Sequence, residues 1–180
     1  MSKTIVLLCL VFFIQNNKEP VVTWSDSCRL TWYDFKAKPK HRVSAVATTA
    51  SGITFGFSVK KNEKRVISFT TEVYAHFYPE QSWYKPKWAN KHVLAHEQLH
   101  FDITELYARK FRKRISLLKT TNDVASRLKA IHKSINEELA TFQNEYDAET
   151  DYSRNVGTQL QWQAIIKAEL KKLDYFKFKD

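Results

Sequence analysis

Apolar positions along this chain follow one period up to about residue 80 and another beyond it. Between Leu30 and Tyr78 they fall in short β-branched and aromatic runs: Val43 to Thr48, Ile53 to Val59 and Arg65 to Tyr74. Alternation of this kind puts successive side chains on opposite faces of a half-buried strand. Ala50-Ser51-Gly52 and Lys61-Asn62-Glu63-Lys64 separate the runs as turns. The pattern predicts a small antiparallel meander, joined by a further strand near Arg29 to Tyr33.

After a Trp- and Pro-containing connector, Pro79 to Trp88, the apolar step becomes three and four residues. Asn90 reads as the N-cap of a helix from about Lys91 to Leu118, with Val93, Leu94, Leu99, Ile103, Leu106, Tyr107 and Phe111 at helical intervals. A second helix is predicted from about Asn122 to Tyr146 and a third from about Thr158 to Leu173. A polar joint rich in carboxylates, Asp147 to Gly157, lies between them. The fold class expected is α+β: a small antiparallel sheet in the N-terminal half, packed on two or three long helices.

The N-terminus departs from this plan. Lys3 precedes an apolar run of ten residues, Ile5 to Ile14, which ends at Gln15, Asn16 and Asn17. Such a run is too short to span a bilayer and suits the core of a signal peptide. Residues 1–17 are therefore expected to direct export to the periplasm, the cell envelope or the medium, and 18–180 to form one domain. Loss of Cys9 with that leader leaves Cys28 alone, so stability cannot rest on an internal disulfide. A content of 43% hydrophobic and 27% charged residues excludes a disordered chain.

The net charge of +10 suits an anionic partner. The cations of Arg109 to Arg114 and of the tail Lys167 to Lys179, however, alternate with apolar residues at helical spacing. That is the pattern of a solvated helix face. No nucleic-acid partner is expected on this basis, whereas peripheral contact with the cell envelope is compatible with it.

The densest chemistry lies in His96-Glu97-Gln98-Leu99-His100. Side chains four apart on a helix stand one turn above each other, so both imidazoles can grip one tetrahedral zinc at about 2.0–2.1 Å. Glu97 then lies beside the metal as general base for a zinc-bound water. A catalytic zinc needs a third protein ligand and one open position. Residues 103 and 106 are Ile and Leu, so no further ligand follows on the same helix, and Asp102 points to a different face.

If the second helix folds back on the first, the joint returns to the motif. Glu149 is then the first choice as third ligand and Asp147 the second. The carboxylate left over can hold a ligand histidine. Tyr146, Tyr152 and His92 are candidate donors to an oxyanion.

Several segments together extend the motif: Ser82-Trp83-Tyr84-Lys85, the run His96 to Lys110, Leu30-Thr31-Trp32-Tyr33-Asp34-Phe35, and Tyr146-Asp147-Ala148-Glu149-Thr150. In these the chain resembles a bacterial family, domain of unknown function nine-two-two, whose members are described as secreted zinc-dependent proteases. The resemblance spans roughly Leu30 to Leu170 and implies a zincin-like fold, a Zn2+ cofactor and a peptide or protein substrate. One departure is Tyr152, where many relatives carry histidine.

The reading is a secreted zinc metallopeptidase. Two alternatives stand beside it: a non-catalytic surface module stabilised by zinc at the same site, and a basic helical module that binds an anionic polymer through Arg109 to Arg114.

Overall fold

The computed structural model describes residues 19–40 and 43–178, so the leader expected over 1–17 lies outside the described residues. Five strands and three long helices follow in order: β1 (Val22–Thr23), β2 (Ala47–Thr48), β3 (Ser51–Asn62), β4 (Arg65–Phe77), β5 (Trp83–Tyr84), α1 (Lys91–Ser116), α2 (Val124–Glu149) and α3 (Val156–Lys172). The fold class is α+β, as the change of period predicts. Among the described residues no helix is long and apolar enough to cross a membrane.

β3 and β4 form a long antiparallel hairpin, and β1 adds to the other edge of β4 in the order β1-β4-β3. Every second residue of β4 faces inward, so Val73, Ala75 and Phe77 are buried. Against this face lies α1, with Phe101, Ile103, Leu106, Ala108 and Phe111 completely buried. α2 and α3 cover its other sides through Leu128, Ile135, Tyr146, Trp162 and Ile166. α1 is thus the axis of the core, not a half-exposed helix.

That position corrects the reading of Arg109 to Arg114 as a solvated face. Arg109 is only 1% exposed. Its Nε donates to Glu105 Oε1 at 2.9 Å, and its Nη1 donates to the Leu170 carbonyl at 2.7 Å. Arg112 shares Glu105 and also donates to the Val73 carbonyl, while Arg114 forms a two-pronged pair with Glu138 of α2. A guanidinium amid packed elements is retained because each charge finds acceptors.

Two strand expectations also change. Arg29 to Tyr33 is not a strand: the Asp34 carboxylate accepts from the amide and hydroxyl of Thr31 and closes a 3-10 turn over Trp32–Asp34. Local side-chain bonding of this kind competes with a ladder. In the run Val43 to Thr48 only Ala47–Thr48 is strand, and it pairs with β5, not β3. The Ala50 amide donates to Ser82 Oγ and the Lys85 amide to the Val46 carbonyl, which draw this segment onto the connector before α1.

Candidate metal centre

Asn90 stands where the sequence puts it, its Oδ1 accepting from the Val93 amide at 3.0 Å to start α1. The first turns of that helix carry His96, Glu97 and His100, all buried. α2 runs back alongside, and its C-terminal turns bring Gln143, Tyr146 and Asp147 to the same place. His96 Nε2 and His100 Nε2 each lie 3.0 Å from Asp147 Oδ1 and 3.2 Å from one another.

These three atoms make a triangle whose sides cannot all be hydrogen bonds. If both imidazoles donate to the carboxylate, their two N–H groups oppose each other across the third side. A cation in contact with all three lone pairs resolves the conflict. A tetrahedral zinc with bonds of about 2.0–2.1 Å separates its ligand atoms by about 3.3 Å, close to the spacing here. The donor set of two nitrogens and one carboxylate oxygen therefore fits a metal ion, and His96, His100 and Asp147 form such a group.

The surrounding contacts orient the ligand atoms. Gln143 Nε2 donates to Thr104 Oγ1 at 3.2 Å, which turns the amide oxygen of Gln143 toward His100. His100 Nδ1 consequently donates to Gln143 Oε1 at 2.8 Å, leaving Nε2 to face the triangle with its lone pair. The ring of His96 stacks on Tyr146, centroids 4.5 Å apart. When Nε2 carries a proton in place of a metal, burial pushes the His100 imidazole down, but the Asp147 hydrogen bond and the charge of Glu97 outweigh it and hold the group above its usual range. For Asp147 burial acts upward, yet the hydrogen bonds from His100 and His96 keep the carboxyl well below the usual carboxylate range.

Glu149, the first choice as third ligand, is not part of the group: its Oε2 accepts from Trp162 Nε1 at 2.7 Å. Two residues on a helix are about 200° apart, so only one of Asp147 and Glu149 can face α1. Asp102 turns away as expected, accepting from Trp24 Nε1 and Gln98 Nε2. Tyr146 is a packing residue, not an oxyanion donor. It is fully buried, and its hydroxyl donates to the His96 carbonyl at 3.4 Å.

A cavity of about 260 Å³ opens onto the group, lined on one side by residues 45–49 and on the other by Gln143, Asn144, Tyr152 and Ser153. Glu97 lines it too, and its buried Oε2 has no hydrogen-bond partner. Tyr152 is 62% exposed at the rim. It sits in an unusual turn: Asp151, Tyr152 and Ser153 have φ of 48°, 52° and 73°, three left-handed residues in succession without a glycine. Each costs about 1–2 kcal/mol, so the turn is held by its bonds. The Tyr152 amide donates to the Asp147 carbonyl at 2.8 Å, and His92 Nε2 donates to the Ser153 carbonyl at 2.6 Å. His92 thus fastens the rim and does not enter the cavity.

Gln143 and Thr104 were not singled out by sequence reasoning. Each lies four residues from a group member, Gln143 before Asp147 and Thr104 after His100. Once Asp147 is known, helical spacing points to both.

One family model matches residues 27–154, described as a bacterial protein of unknown function (DUF922). Neither the curated proteins nor the solved structures compared with the chain include a match.

Proposed function

The chain belongs to the DUF922 family of bacterial proteins of unknown function, and within it we propose a zinc-dependent metallopeptidase, exported by its N-terminal leader. His96, His100 and Asp147 hold the ion, and Glu97 is the general base. The observation that carries this reading is the convergence of His96 Nε2, His100 Nε2 and Asp147 Oδ1 within 3.0–3.2 Å.

A zinc ion bound there supplies Lewis acidity and lowers the pKa of a coordinated water toward about 7. The other tasks belong to side chains. Glu97, beside the group in sequence and with a free oxygen in the cavity, takes a proton from the attacking water and returns it to the leaving amine. Tyr152, which lines the cavity, is the donor assigned to the oxygen of the attacked carbonyl in this reading. Water and peptide bond yield one carboxylate and one amine, so no further reactant is needed.

The donor count separates this reading from a purely structural zinc. Structural sites close with four protein ligands, whereas among the described residues no fourth histidine, cysteine or carboxylate joins the group. An open position suits catalysis.

The test pairs metal analysis with turnover of a peptide library. Wild-type protein is expected to hold one zinc and cleave; Glu97→Gln is expected to keep the zinc and lose about 10²–10⁴ in kcat. Undiminished cleavage by Glu97→Gln refutes the mechanism, and wild-type protein that fails to retain zinc refutes the centre.

A further inference from the structure

Between Phe35 and Asn62, and again between Gln81 and His96, the chain contains no acidic residue. Lys36, Lys38 and Lys40 of the first segment and Lys85, Lys87 and Lys91 of the second make no ion pair among the described residues. All but Lys85 are exposed.

Folding brings the two segments together. The Lys36 amide donates to the Pro79 carbonyl, the Ala37 amide to Ser82 and the Lys85 amide to Val46. β2 and β5 complete the union by pairing Ala47 with Tyr84 and Thr48 with Trp83. The Lys85 amide on Val46 and the β2–β5 pairing thus join the lysine-bearing segments to residues 45–49, one wall of the cavity that holds the histidine–aspartate group. Beside them Trp88 is 56% exposed, with Lys87 Nζ 5.4 Å and Lys85 Nζ 6.0 Å from its ring centroid.

We infer that the substrate of this site is an acidic polypeptide segment, its carboxylates held by the lysines of residues 36–40 and 85–91 while the bond to be cut lies in the cavity. The inference rests on the peptidase reading. A single exposed ion pair contributes little, but unpaired charges of one sign beside a cleft sum to a field that concentrates and orients an oppositely charged chain. A nucleic acid fits less well. Among the described residues of the two segments Trp88 is the one exposed aromatic ring, and single-stranded nucleic acids are held by stacking on successive rings.

The experiment uses the full chain with Glu97→Gln, loaded with zinc so that bound peptide is not consumed. Fluorescence anisotropy compares a labelled glutamate-rich peptide with its glutamine counterpart. The glutamate peptide is expected to bind about tenfold tighter at low ionic strength, with the margin shrinking as salt is raised. The margin should vanish in the triple variant Lys36→Glu, Lys38→Glu, Lys87→Glu. It should persist in Lys129→Glu, Lys167→Glu, Lys171→Glu, which changes the net charge equally. Equal binding of the two peptides overturns the inference, as does a margin that survives the first triple variant. Full competition by an oligonucleotide of the same charge also overturns it, in favour of a general polyanion surface. Wild-type protein with zinc separates the two claims: if the glutamate preference holds and the peptide stays intact, the peptidase reading falls while acidic recognition stands.

Discussion

His100 Nε2 and Asp147 Oδ1 stand 3.0 Å apart although 47 residues separate them along the chain. The contact exists because α1 and α2 lie antiparallel, and the C-terminal turns of α2 return to the first turns of α1. The rotation of α2 matters as much as its path. One residue more or less ahead of Asp147 turns it by about 100° and removes it from the group.

The three-membered group makes a prediction that separates neighbouring carboxylates. Asp147→Ala should abolish tight zinc binding, as His96→Ala and His100→Ala should, whereas Glu149→Ala should leave zinc affinity unchanged. Competition with a zinc chelator reads both. Loss of zinc in Glu149→Ala with retention in Asp147→Ala reverses the assignment.

Gln143 supports the centre from outside it. Removing its amide in Gln143→Ala frees His100 Nδ1 and should weaken zinc by about 10–100-fold without unfolding the protein. Chelator competition and circular dichroism on one sample distinguish a weaker site from a damaged fold. Wild-type affinity in this variant removes Gln143 from the account.

The Glu105–Arg109 pair should matter more to stability than any surface ion pair. Both side chains are 2% exposed, and Arg112 leans on the same carboxylate at 3.0 Å. Glu105→Ala leaves two guanidinium groups without their shared acceptor and should cost about 3–5 kcal/mol. Urea denaturation measures it; a cost below about 1 kcal/mol shows that the charges are satisfied elsewhere.

Acid should weaken the α1–α2 interface through Glu138. Its hydrogen bonds from Arg114, both 2.7 Å, hold the carboxyl below its ordinary value of 4.5, against a smaller upward push from burial. A carboxyl depressed on folding contributes stability that is present above its unfolded value and lost as pH falls through the folded one. The decline should begin below about pH 4.5 and be smaller in Glu138→Gln. With both side chains more than a third exposed, the effect is under about 1 kcal/mol. Identical urea midpoints against pH for the two proteins remove Glu138 from the acid response.

The helices were legible because burial on one side writes a three-and-four period into the residues themselves. The start of α1 at Asn90 was legible because its side chain caps locally. The short strands were not. β1 and β5 are two residues each, held by partners distant in the chain, and two residues carry no period. The run Arg29 to Tyr33 alternates like a strand, but Asp34 bonds it into a turn.

The same division runs through the site. Sequence alone determined that His96 and His100 share one helix face with Glu97 beside them, since four-residue spacing is a local property of the backbone. By counting residues out and back it also narrowed the third partner to Asp147 or Glu149, which lie in the last turn of α2 and not in the joint expected there. Which carboxylate faces the histidines, and that Arg109 lies buried and not in solvent, only the tertiary structure decided. Both depend on how α2 and α3 rotate and pack against α1, and that is set by the fit of many side chains at once.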